Sequence, residues 1–196
     1  MKIKFTYAFD YDRMLGISLG NQFSDEQMLE MRGYLHDVEN FWKNEQKPII
    51  ETIQKVAGMR FRNDINCYLV KDMFYVALSH PFTLKKEHDF EKLKAIMIHE
   101  LIHILFVQNE KAAKEMIHIL NEKYPRRDIV FKSHLPLFLI EKKVIETLYG
   151  KGFMKKVMEI DRYSDEFSHI WKEANQYYPK FNGNILKFLE KEVLKY

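Results

Sequence analysis

Ala95-Ile96-Met97-Ile98-His99-Glu100-Leu101-Ile102-His103-Ile104-Leu105-Phe106-Val107 is the stretch on which the reading of this chain turns. Apart from His99, Glu100 and His103, every position in it is apolar. A helix that is hydrophobic all round belongs in the middle of a fold. Residues four apart on a helix project from one face, so the imidazoles of His99 and His103 can grip a single ion, with Glu100 on the adjacent flank. Burying two imidazoles and a carboxylate without partners would cost several kcal/mol, and a divalent cation with its water would offset that cost. A core pair of histidines satisfied without metal is the competing reading, and it lacks that compensation.

A catalytic site of this kind takes a third protein ligand and leaves one position for water. Downstream the candidates are His118, His134, Glu141 and Glu146. Pro136 suits the first turn of a helix running to Tyr149, with Gly150 as its stop. Within it Glu141 has Leu137, Phe138, Val144 and Ile145 as its neighbours three and four residues away, all apolar, so it faces the core. Glu146 is flanked by Lys142 and Lys143, the setting of a solvated carboxylate with local cations. A carboxylate centred on an apolar face needs compensation, and the cation on His99 and His103 is the obvious partner. Glu141 is therefore favoured as third ligand, with His134 and Glu146 kept as alternatives. His118, beside an apolar stripe, reads as an ordinary partly exposed histidine.

Further out, Ile3, Phe5 and Tyr7 alternate with Lys2, Lys4 and Thr6, the pattern of a half-buried strand. A loop carrying Gly16 and Gly20 follows. Ser24 with Gln27 forms a capping-box signal for a helix over about 25–42, and Pro48 opens a second helix that Gly58 stops. From Met59 to Thr83, β-branched and aromatic residues separated by Asn63-Asp64 and Lys71-Asp72 read as a small antiparallel meander. Beyond Pro81 helical patterns cover about 88–107, 110–123, 136–149, 153–160, 164–177 and 184–195. The class is α+β, a small antiparallel sheet followed by a mainly helical region. The chain reads as one domain over 1–196, with an N-terminal strand and helices over 1–58, a core over 59–150 and C-terminal helices over 151–196.

Composition narrows the chemistry. The 196 residues are 46% hydrophobic and 30% charged, with a formal net charge of +3, which gives no reason to expect nucleic acid. Cys67 is the one cysteine, so neither a disulfide nor a thiolate zinc module can form, and any metal falls to histidine and carboxylate. Cys67 itself reads as a buried inert thiol. Met1-Lys2-Ile3-Lys4-Phe5 does not resemble a signal peptide and no apolar run approaches the roughly 20 residues of a membrane span, so a cytoplasmic protein without a membrane partner is expected. The amphipathic stretch Ile185, Phe188, Leu189, Val193 and Leu194, with Lys187, Lys191 and Lys195, is expected to pack on the body of the protein. Phe167, Trp171, Tyr177, Tyr178 and Phe181 form either core or a cleft wall.

His99-Glu100-Leu101-Ile102-His103 on an apolar helix, followed by Glu141 on a second helix, resembles the gluzincin branch of the zincin metallopeptidases, as a minimal thermolysin-type catalytic core. The resemblance covers about residues 65–150. It implies zinc held by His99, His103 and Glu141, Glu100 as the general base for metal-activated water, and a peptide or protein substrate. It also implies an edge strand that pairs with extended substrate, either Met73 to Leu78 or Ile65 to Val70. His134 and Tyr149 are candidates to steady the oxyanion. His103 is followed by Ile104, Leu105, Phe106 and Val107 and not by the metzincin continuation, and Ile145 stands where thermolysin-type enzymes have an aspartate. At 196 residues the chain leaves little room for a large second subdomain. The function expected from another class is a regulatory or interaction protein that keeps a zincin-type metal site without peptidase activity.

Overall fold

The computed structural model describes residues 1–21, 24–161 and 165–194; positions 164 and 195, which bound two of the expected helices, lie outside the described residues. The chain is α+β, predominantly helical with a small four-stranded sheet. It divides into two compact units: residues 1–47 with 62–104, and 48–61 with 105–196.

The first unit holds the sheet. Strand β1 (Ile3–Tyr7) buries Ile3 and Phe5 and exposes Lys4, as its alternation demands. It runs parallel to β2 (Ile65–Val70), with Ile3 opposite Ile65 and Tyr7 opposite Leu69. On its other side β2 runs parallel to β4 (Phe82–Lys85), and β3 (Ala77–Ser79) closes the order β1-β2-β4-β3 as an antiparallel edge. The antiparallel meander expected from sequence is thus corrected to a mixed sheet. Ile65 to Val70, one of the two edge-strand candidates, is interior, because its flanks are taken by β1 and β4. Residues 73–76 lie before β3 and outside the strand, so only the end of the other candidate stretch is edge.

Between β1 and β2 come two helices. Helix α1 (Phe9–Ser18) replaces the expected loop. It has little apolar periodicity to announce it and is tied down by a polar group: Asp12, 3% exposed, accepts from the Lys71 N–H at 2.6 Å and the Tyr7 hydroxyl at 3.0 Å. Helix α2 (Asp25–Ala57) starts at the expected capping box, with Gln27 N–H to Ser24 Oγ at 3.3 Å and Ser24 N–H to Gln27 Oε1 at 3.2 Å. It then runs unbroken through Pro48 instead of forming two helices. The buried stripe Met31, Val38, Trp42, Ile49, Ile53, Val56 continues across that point, and Pro48 forfeits one backbone bond, to the Asn44 carbonyl. Gly58, at φ 71°, ends the helix as expected.

Helix α3 (Phe90–Gln108) carries the histidine motif, and α4 (Glu110–Lys123) follows with Met116, Ile119 and Leu120 buried. Helix α5 (Ile129–Asp161) is broken at Gly150, whose φ of 82° and ψ of 171° interrupt the helical path where a stop was expected. Helix α6 (Asp165–Tyr177) packs on α5 through Trp171, which stacks on Phe138 at 4.1 Å, so this part of the aromatic cluster is core. Phe181 is core as well, 1% exposed. The short α7 (Ile185–Phe188), continued by a π-type turn at Leu189–Val193, buries Ile185, Phe188, Leu189 and Val193 and packs against α4, as the amphipathic reading expected. No described helix is long and apolar enough to cross a membrane.

Candidate metal centre

Helix α3 buries most of its surface: Leu93, Met97, Ile98, Leu101, Ile102 and Leu105 are fully inaccessible. One stripe differs. Ile96, His99 and His103 are half-buried and Val107 is exposed, a spacing of three and four residues that marks a single face. The two imidazoles stand on that face with ring centroids 5.0 Å apart and planes inclined by 67°. Glu100, one position round the helix, is 9% exposed.

The third imidazole of the group comes from α5. This helix begins at Ile129 and not at Pro136, because Asp128 caps it: its Oδ1 accepts from the Phe131 N–H at 2.8 Å. His134 therefore sits in the second turn of a helix and not ahead of one. Its Nδ1 lies 2.9 Å from the Val130 carbonyl oxygen, which can only accept. In the neutral ring Nδ1 accordingly carries the proton and Nε2 presents a lone pair. Ser133 Oγ, which donates to the same carbonyl at 3.0 Å, is 3.1 Å from Nδ1. The rings of Phe167, at 4.9 Å, and Phe138, at 5.7 Å, border the imidazole. His99, His103 and His134 each offer one ligand nitrogen, and the three nitrogens lie within 4.8 Å of one another.

Glu141, the ligand favoured from sequence, stands outside that group; it is buried on α5 with 1% exposure. His134 and Glu141 are seven residues apart and share a face of α5, separated by about 10 Å along its axis. Of these two residues, His134 is the one whose ligand atom is grouped with those of His99 and His103. The signal that could have shown this was Asp128 ahead of Ile129, Val130 and Phe131, an N-cap before an apolar turn.

Glu146, His118 and Cys67 are not part of the three-histidine group. Glu146 accepts from the Tyr178 hydroxyl at 2.7 Å, and burial first, then this carboxylate, pushes the Tyr178 phenol up. His118 is exposed and pairs with Glu122 at 3.3 Å. Tyr149 rests against Phe153, ring to ring at 5.3 Å. Cys67 is fully buried, and burial pushes its thiol well above the ordinary range.

Three imidazoles form a donor set that suits zinc, and they leave room in its four-coordinate sphere for water. Comparison of the chain with protein-family models, with curated proteins and with solved structures finds no match.

Proposed function

We propose that the protein is a zinc-dependent hydrolase of peptide bonds, with His99, His103 and His134 as metal ligands and Glu100 as general base. The reading is carried by one observation, the approach of three imidazole nitrogens to within 4.8 Å of one another, two of them flanking Glu100 on one helix. The donor set itself argues for zinc: the one thiol is buried and inert, and three neutral imidazoles suit a borderline cation better than magnesium or calcium, which prefer oxygen. A zinc ion bound there supplies an acidified water and polarises a carbonyl oxygen. Glu100, nearly buried and one residue from His99, takes the proton of the attacking water and passes it to the leaving amine. The Nδ1–H of His134, donated to Val130, holds that ring in the tautomer a ligand needs. An extended substrate is supported by β3, an edge strand whose outer backbone groups can accept an added strand.

Glu100→Gln tests the reading. The variant keeps the size and both flanking histidines but cannot take a proton, so zinc stays bound while hydrolysis of a peptide library falls by about 10²–10⁴-fold. A variant as active as the parent would remove Glu100 from the chemistry, and a zinc-loaded parent that cleaves nothing would favour a regulatory protein with a retained metal site.

A further inference from the structure

A second feature lies in the first compact unit and does not depend on the metal. Where β1 ends, the N-terminal half of α2 leaves a groove of about 310 Å³ walled by Phe5, Tyr7, Phe9, Met28 and Leu35. That volume is at the lower end of small-ligand sites, which run from roughly 300 to 1,000 Å³. Among the described residues one charged side chain, Arg32, lines the groove and no carboxylate does.

Nothing described neutralises Arg32. Its neighbours three and four residues away on α2 are Met28, Leu29, Leu35 and His36, so the helix supplies no acid. Among the described residues no carboxylate forms an ion pair with it. Asp12, the carboxylate bonded to the groove residue Tyr7, is buried and accepts from the Tyr7 hydroxyl and the Lys71 N–H. The guanidinium is felt at Tyr7, where its charge opposes the rise that burial and Asp12 impose on the phenol. The backbone adds a donor. Ile65 N–H bonds the Lys2 carbonyl and Ala8 N–H bonds Leu69, so even-numbered residues of β1 face β2 and the Tyr7 N–H points to the open edge of the sheet.

We propose that this groove binds a carboxylate carried on an aromatic or branched apolar group, as at a hydrophobic C-terminal residue of a peptide. Arg32 pairs with the carboxylate, and the aromatic walls take the apolar group. A free arylalkanoic acid shares this chemistry with a peptide C-terminus, and probes separate the two.

The test is titration of the isotopically labelled full chain with N-acetyl-L-phenylalanine, its primary amide and 3-phenylpropionate, followed by amide chemical shifts. The N-acetyl acid is expected to bind in the millimolar range or tighter, with shifts centred on residues 5–9 and 28–35. The amide should bind about tenfold more weakly or not at all. Equal binding of 3-phenylpropionate identifies a small-acid site and weaker binding a peptide C-terminus; either result supports the groove. Arg32→Met, at an exposed helical position, should fold with the parent's spectrum and lose the preference for acid over amide. Equal affinity for acid and amide, shifts elsewhere, no binding at 10 mM of either acid, or an unchanged preference in Arg32→Met overturns the proposal.

Discussion

Replacing His134 by alanine separates the two accounts of the third ligand. Zinc sites in peptides bind with about 10–16 kcal/mol over four ligands, so each protein ligand contributes on the order of 2.5–4 kcal/mol. Its loss should weaken zinc by about 10²–10³-fold. The nitrogen of His134 belongs to the cluster with His99 and His103, whereas Glu141 is about two helical turns along α5 and outside it. His134→Ala should therefore show the full loss and Glu141→Gln a small one. The assay is competition for zinc against a chromophoric chelator at neutral pH, with circular dichroism confirming that both variants are folded. Glu141→Gln keeps the size of a buried side chain and removes its charge, and the same spectra show whether the fold survives that change. Zinc affinity unchanged in His134→Ala and lost in Glu141→Gln would rule out His134 as a ligand and restore the ligand set expected from sequence.

Three further outcomes follow from the packing. Asp128→Ala removes the cap at the Phe131 N–H and should lower stability by about 1 kcal/mol in urea denaturation, and it should also weaken zinc by loosening the turn that carries His134. Gly58→Ala places a methyl 2.8 Å from Asn184 Cγ at a residue with φ of 71°, so it should destabilise by roughly 1–3 kcal/mol, measured by thermal melting. Cys67 should resist a thiol reagent in the native protein and react at one equivalent per chain in denaturant, because burial both hides the sulfur and disfavours the thiolate.

Much of the fold was legible where local signals agree with packing. The alternation of Ile3, Phe5 and Tyr7, the Ser24–Gln27 box and the stop signals at Gly58 and Gly150 each map onto an observed boundary, and α4 spans the residues expected. Helix α1 was not legible, because a buried aspartate holds it where an apolar stripe would have announced it, and Gly16 sits inside it. Prolines misled twice. Pro48 and Pro136 read as helix starts, yet each lies inside a helix whose apolar face continues across it. The second misreading bore on the site, because a helix opening at Pro136 excludes His134 from the face that carries Glu141. Strand direction was not legible either, since parallel pairing of β1, β2 and β4 depends on crossovers that no local pattern records. The pair His99 and His103 was legible from spacing alone, while their third partner depended on where a helix on another part of the chain begins.

Zinc content and peptide cleavage, measured on the same preparation of the full chain, decide whether the protein is a zinc-dependent peptidase. One zinc per chain is expected, with cleavage that disappears on chelation and returns with one added equivalent of zinc. A preparation carrying one zinc per chain that leaves a broad peptide library intact, or a chain that takes up no zinc, would contradict that expectation.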